Sequence, residues 1–118
     1  MKSKEMIKDS NLYNIVNAVE VGLKEIFGDK LRKIILYGSY ARAQEVNGSD
    51  LDLMALLDLS DEEIESKNEE VLELTVELST RYGVFISIVK NNIGFFNEWV
   101  DTLPYFKNVI DEGIDIYG

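Results

Sequence analysis

The chain of 118 residues contains no cysteine and no histidine. Without cysteine it can form neither disulfide bonds nor thiolate zinc sites. Without histidine it can form neither a serine triad nor a histidine metal site. Every mechanism that relies on an imidazole is therefore excluded.

Positive charge and long apolar runs are also scarce. The 12 Lys and Arg residues face 22 Asp and Glu residues, which gives a net charge of −10. Because nucleic-acid binders need a basic surface, we expect no direct binding of nucleic acid. The apolar runs, such as residues 53–57, are too short to cross a bilayer, and no apolar segment of signal-peptide length follows residues 1–5. We expect a cytoplasmic protein with no membrane partner, folded as a single domain over residues 1–118.

Acidic side chains are concentrated between residues 61 and 77, where Lys67 is the only basic residue. A solvated helix face explains such a run. An acidic surface for a basic partner protein explains it as well, and the sequence leaves both interpretations open.

Apolar spacing and turn residues predict alternating helices and strands. Predicted helices follow Asp9 or Ser10 up to Gly28, run from the capping box at residues 60–63 to Gly83, and cover residues 92–100 and 104–113. Predicted strands are residues 33–37, 50–57 and 84–89, with a short edge strand at 114–117 and a turn at Asn47-Gly48. The pattern indicates an α/β (α+β) fold with a small mixed β-sheet flanked by helices.

A turn of small residues follows the first predicted strand. Gly38 lets the backbone approach a ligand closely because it has no Cβ. Ser39 supplies a hydroxyl and is placed to cap a short helix through Ala41 and Arg42, whose N–H groups would face phosphate oxygens. Arg42 adds a fork-shaped cation that suits phosphate. Gly38, Ser39 and Arg42 are therefore predicted to bind a polyphosphate.

Two aspartates, Asp50 and Asp52, lie one residue apart on the next predicted strand. Side chains alternate with period two along a strand, so both carboxylates leave the same face. Carboxylates held side by side repel each other, and Mg²⁺ would offset that repulsion because it binds through one or two carboxylates plus substrate phosphates. Taken alone, an Asp-x-Asp pair is more often a surface feature. Together with Gly38-Ser39 it predicts a magnesium–nucleotide site.

The segment Gly38-Ser39, ten residues, then Asp50-Leu51-Asp52 resembles the signature of the DNA polymerase β-like nucleotidyltransferase superfamily. The run Leu36-Tyr37-Gly38-Ser39-Tyr40-Ala41-Arg42 is similar to that of minimal nucleotidyltransferases. This resemblance implies a nucleotidyltransferase core that transfers a nucleotidyl group, AMP from ATP, to an acceptor hydroxyl. It also implies that Gly38 and Ser39 contact the triphosphate, that Asp50 and Asp52 bind Mg²⁺ in catalysis, and that the protein is an antitoxin adenylylating a HEPN-domain partner.

One departure from that family leaves a second function open. Members commonly carry a third carboxylate on a later strand, and the corresponding strand here, residues 84–89, has Ser87 as its only polar side chain. A hydroxyl is a poorer metal ligand and a poorer proton acceptor than a carboxylate. Glu73 and Glu77 are weak candidates to replace it. The alternative is a non-catalytic nucleotide-binding or partner-binding subunit with a degenerate active site.

Aromatic residues cluster near the C-terminus. Phe95, Phe96 and Trp99 recur at helical spacing, which indicates core packing. Trp99, Tyr105 and Phe106 could instead form a dimer or partner surface, because aromatic residues are enriched in interface cores. A homo-oligomer is therefore a second possible state.

Overall fold

A computed structural model of the chain describes residues 1–46 and 48–118. Its helices are α1 (Ser10–Phe27), α2 (Asp61–Glu65), α3 (Asn68–Tyr82), α4 (Ile93–Trp99) and α5 (Pro104–Glu112). Its strands are β1 (Lys2–Ser3), β2 (Leu31–Tyr37), β3 (Leu51–Leu57), β4 (Ile86–Asn92) and β5 (Ile114–Tyr117). Asn47 of the predicted Asn47-Gly48 turn lies outside the described residues.

The strands form one mixed sheet in the order β1-β5-β2-β3-β4. Strand β2 runs antiparallel to β3 and β5, whereas β3 is parallel to β4 and β1 is parallel to β5. The predicted mixed sheet flanked by helices is thus confirmed. The predicted edge position of β5 is wrong, because Lys2 and Ser3 pair with Ile114 and Asp115 on its outer side.

Each face of the sheet is covered by helices. On one face α1 and α3 pack against the odd-numbered residues of β3 in a large apolar cluster, which includes Leu23, Leu51, Leu53, Val71 and Leu78. On the other face α4 and α5 pack in a smaller cluster, which is Ile35, Met54, Leu56, Phe96, Phe106 and Val109. The even-numbered residues of β3, Asp52 among them, therefore face α4 and α5.

Two helix starts follow their predicted signals. The Asp9 side chain accepts hydrogen bonds from the N–H groups of Asn11 (2.9 Å) and Leu12 (3.1 Å) and caps α1. Pro104 is the first residue of α5. In both cases the local sequence is sufficient to predict where the helix begins, because a capping side chain or the fixed φ of proline acts within one helical turn.

The single helix predicted between residues 60 and 83 is two helices. The Ser60–Glu63 capping box does open α2, but that helix ends at Glu65. The Ser66 hydroxyl donates to the carbonyl of Glu63 at 2.6 Å, a side-chain bond that competes with the helical pattern. The acidic residues of α2 and α3 are mostly solvent-exposed, as a solvated helix face requires.

Strand β4 lies further along the chain than the predicted strand at 84–89. Val84 still belongs to the turn after α3, where its N–H donates to the carbonyl of Ser79. Pairing with β3 continues to the end of that strand, where Asn92 lies opposite Leu57. The sequence pattern did not predict a strand at residues 90–92, because these residues are polar and their strand conformation depends on pairing with β3.

Among the residues that the structure describes, no helix combines the length and apolar character needed to cross a membrane.

Candidate functional site

Three side chains form a row across the sheet at the start of β3. Asp52 pairs with Tyr37 on β2 and with Ser87 on β4. Paired residues on neighbouring strands point to the same face, so all three lie on the face that carries α4 and α5. Asp52 stands in the middle of this row.

Gly38 follows Tyr37 directly and brings the main chain against the carboxylate of Asp52. Its φ is +76°, a conformation that favours glycine. A β-carbon built on Gly38 would lie 2.6 Å from Oδ2 of Asp52. The close approach at this glycine is to the Asp52 carboxylate, and the predicted approach of its backbone to a ligand stays a prediction.

The charge of Asp50 acts on the Asp52 carboxyl. Burial raises the pKa of Asp52, and the nearby charge of Asp50 raises it further, while Arg42 acts in the opposite direction. Asp50 lies just before β3 and is exposed, whereas Asp52 is half-buried. A hard divalent cation fits this oxygen donor set, because it would relieve the mutual repulsion and complete its shell with phosphate oxygens and water.

Across residues 1–46 and 48–118, no group of three or more His, Cys, Asp or Glu side chains is arranged to hold a metal. Ser87 occupies the position beside Asp52 where a third carboxylate would stand. Glu73 and Glu77 do not replace it, because α3 packs on the opposite face of the sheet. Glu77 is also paired with Arg81.

Residues 38–44 form overlapping turns rather than the predicted short helix. The N–H of Arg42 donates to the carbonyl of Gly38 (3.2 Å), and that of Gln44 donates to the carbonyl of Ser39 (2.8 Å). Ala43 has a φ of +55°, which interrupts a right-handed helix. No helix begins at Ser39, so its predicted capping role is wrong.

Arg42 is bound to helix α5. Its Nη1 donates to Oε2 of Glu112 at 2.8 Å, and its Nε donates to Oε1 of Gln44 at 3.1 Å. The guanidinium nonetheless lies near enough to Asp52 to oppose part of the rise in the pKa of that carboxyl. Both Arg42 and Glu112 are exposed, so the pair can open at little cost in free energy.

A pair of tyrosines lies beside Asp52, and no pattern in the sequence predicted it. The hydroxyls of Tyr37 and Tyr105 share a hydrogen bond of 2.7 Å, and their rings meet edge to face at 6.0 Å. Burial raises the pKa of Tyr37 well above its ordinary value, with further contributions from Tyr105 and from the charge of Asp52. Period-two alternation places Tyr37 on the same face as Ile35, but its partner depends on how α5 docks.

Comparison with known families identifies the family of the chain. The family model described as "Polymerase beta, Nucleotidyltransferase" matches residues 22–118. The chain belongs to this nucleotidyltransferase family. It is also 30% identical over 112 residues to MJ0604 of Methanocaldococcus jannaschii, which is provisionally named a protein adenylyltransferase; the match covers 95% of this chain and 100% of that protein.

Solved structures with the same fold include a provisionally named minimal nucleotidyltransferase, with a TM-score of 0.58, 21% identity, and coverage of 92% of this chain and 96% of that one. A chain of a toxin–antitoxin complex with AMP-PNP has a TM-score of 0.58 and 20% identity, covering 87% and 73% of the two chains. A chain of the complex between tri-AMPylated HEPN toxin of Shewanella oneidensis and its MNT antitoxin has a TM-score of 0.52 and 19% identity, covering 88% and 70%. At these identities the likeness establishes the fold.

Proposed function

We propose that this nucleotidyltransferase transfers AMP from ATP, with Mg²⁺, to a hydroxyl of a HEPN-domain partner protein and acts as its antitoxin. The observation that carries the proposal is the contact of the Gly38 backbone with the Asp52 carboxylate, beside Asp50. The name of the M. jannaschii relative supports a protein acceptor. The HEPN complex of similar fold supports the class of partner.

Each residue of the site has a proposed role. Asp50 and Asp52 would hold Mg²⁺, which when bound neutralises charge on the phosphates and orients them. Gly38 would contact the triphosphate through its backbone, because it carries no side chain. The Ser39 hydroxyl would donate to a phosphate oxygen, and Arg42 would exchange Glu112 for a phosphate.

The reaction follows from these positions. The acceptor oxygen attacks the α-phosphorus of ATP, the bond to the bridging oxygen breaks, and pyrophosphate leaves with the electron pair. Ser87 cannot take up the acceptor proton as a carboxylate would, so that proton passes to solvent or to a base on the acceptor protein. Catalysis then consists mainly of positioning and electrostatic stabilisation.

The position of Ser87 favours a second candidate, a non-catalytic nucleotide-binding or partner-binding subunit. Ser87 lies beside Asp52, so this strand lacks the third carboxylate that members of the family commonly carry. In that case ATP and Mg²⁺ bind, but no pyrophosphate is released.

Intact-mass measurement separates the two candidates. The chain is incubated with ATP, Mg²⁺ and a candidate HEPN-domain partner protein, and the mass of the partner is measured before and after. The proposed function predicts a partner that gains whole AMP groups with the wild-type chain and none with Asp52→Asn. An unmodified partner, together with tight calorimetric binding of ATP by the wild type, supports the non-catalytic subunit.

A further inference from the structure

Aromatic rings form a continuous band from the candidate site to the end of α4. Successive ring centroids lie 6.0 Å apart for Tyr37–Tyr105, 5.8 Å for Tyr105–Phe106, 5.9 Å for Phe106–Phe95 and 6.3 Å for Phe95–Trp99. We call these five residues the aromatic band. Phe106 is buried and anchors the band in the smaller apolar cluster.

The outer members of the band are open to solvent. Tyr105 is 48% exposed, Phe95 is 47% exposed and Trp99 is 38% exposed. Aromatic side chains of this size are usually covered in a monomeric protein, and a contiguous exposed group of them is typical of an interaction surface. Tyr and Trp are also the residues that contribute most to binding at interface centres.

The band begins at the site where the acceptor must arrive. Tyr37 is the register partner of Asp52, so the inner end of the band borders the carboxylate. The sheet itself and the cluster formed by α1 and α3 close the opposite face. An acceptor hydroxyl that reaches Asp52 therefore comes in over the face that carries α5 and α4, where its protein meets the band.

The charges around the band define the partner's surface. Glu98 and Asp101 flank Trp99 in the sequence and are exposed. Lys107 is the only basic residue among residues 93–112. The whole chain has a net charge of −10. A partner surface complementary to the band is therefore an apolar patch surrounded by Lys and Arg.

We propose that the aromatic band is the docking surface for the acceptor protein, which covers Phe95, Trp99 and Tyr105 with an apolar patch rimmed by basic residues. The identity of that partner rests on the proposed function. The band then sets which hydroxyl of the acceptor protein reaches Asp52.

Calorimetric titration with the HEPN-domain partner tests the band directly. Trp99→Ala and Phe95→Ala are expected to raise the Kd for the partner about tenfold or more, because both remove exposed aromatic contact area. Glu98→Lys, a surface change that leaves the fold intact, is expected to weaken binding through repulsion from the basic rim. The matched control is Leu72→Ala, since Leu72 is 62% exposed on α3, in the layer on the other side of the sheet. ATP binding is expected to stay unchanged in all four variants.

Unchanged partner binding by both Trp99→Ala and Glu98→Lys overturns the docking surface. So does a wild-type dimer that Trp99→Ala converts to monomer while partner binding is unaffected, since the band then joins two copies of the chain. Because binding is measured separately from AMP transfer, a partner that binds through the band and is never modified overturns the proposed function alone. If the Trp99→Ala variant binds and modifies the partner as the wild type does, the docking proposal is overturned and the proposed function is not.

Discussion

Gly38 and Asp52 are in such close contact that a β-carbon on the glycine would lie 2.6 Å from the aspartate Oδ2. Gly38 also has a φ of +76°, so this position excludes a side chain for two independent reasons. The backbone of the signature turn and the carboxylate of the next strand are thus fitted to each other. Three substitutions around this contact and one on α5 lead to separate predictions.

Replacing Gly38 with alanine is expected to abolish binding of ATP with Mg²⁺, because the new Cβ must displace the Asp52 carboxylate. The positive φ is expected to cost about 1–2 kcal/mol of unfolding free energy as well. Gly83→Ala is the matched control, because Gly83 has a φ of +67° with open space around its Cβ. Both variants should lose similar stability in urea denaturation, and only Gly38→Ala should lose nucleotide binding. Equal nucleotide binding by the two variants would contradict the fit described above.

Replacing Asp52 with asparagine is expected to stabilise the fold at neutral pH while removing activity. The folded-state pKa of Asp52 is raised from 3.8 by burial and by Asp50, so its stabilising contribution is complete below 3.8 and is lost as the pH rises through the raised pKa. Asparagine carries no charge. Thermal melts should therefore show a higher Tm for Asp52→Asn near neutral pH and no difference at about pH 3.

Mg²⁺ provides a check on that interpretation. A cation that binds the folded state stabilises it by mass action, so Mg²⁺ is expected to raise the Tm of the wild type and not that of Asp52→Asn. A wild-type Tm above that of Asp52→Asn at neutral pH without Mg²⁺ would show that the Asp52 charge does not strain the fold.

Replacing Ser87 with aspartate is expected to supply the missing carboxylate, because Ser87 lies directly opposite Asp52. The variant should bind Mg²⁺ more tightly and transfer AMP faster. Without Mg²⁺ it should melt at a lower temperature than the wild type, since a further negative charge joins the pair. Ser87→Asn, similar in size and uncharged, should show neither effect. A Ser87→Asp variant with unchanged rate and Mg²⁺ affinity would mean that this position does not reach the metal.

Replacing Glu112 with glutamine is expected to tighten ATP binding by up to about fivefold, because it releases Arg42 from an exposed ion pair worth about 0–1 kcal/mol. Arg42→Ala should weaken binding. The double variant should behave like Arg42→Ala alone, since the glutamate acts only through the arginine. Calorimetric titration of the four proteins tests this coupling, and additive effects of the two substitutions would refute it.

Local signals predicted much of this fold. The caps at Asp9 and Ser60 and the proline of α5 act over a few residues, and each predicted where its helix begins. The alternation on β3 is local in the same sense and predicted that strand. The length of β4 and the interior position of β5 depend on which strands pair, and no short segment encodes that. At the break between α2 and α3 the Ser66 hydroxyl donates to the carbonyl of Glu63, a contact that the apolar spacing does not indicate.

The candidate site also contains residues that local sequence predicts and residues that it does not. Gly38, Ser39, Asp50 and Asp52 could be selected because turn chemistry and strand alternation are properties of the sequence. Tyr105 and Glu112 could not be associated with Tyr37 and Arg42, because residues separated by roughly seventy positions meet only when α5 docks on the sheet. The aromatic band also depends on that docking.

The most direct test of the proposed nucleotidyl transfer uses ATP labelled at two positions. Wild-type chain, Mg²⁺ and the HEPN-domain partner are incubated with ATP labelled at the α-phosphate or at the γ-phosphate, with Asp50→Asn and Asp52→Asn as controls. The proposed function predicts partner labelled from α-labelled ATP, none from γ-labelled ATP, and none with either variant. Label from the γ-phosphate, or α-label that persists in Asp52→Asn, would contradict it.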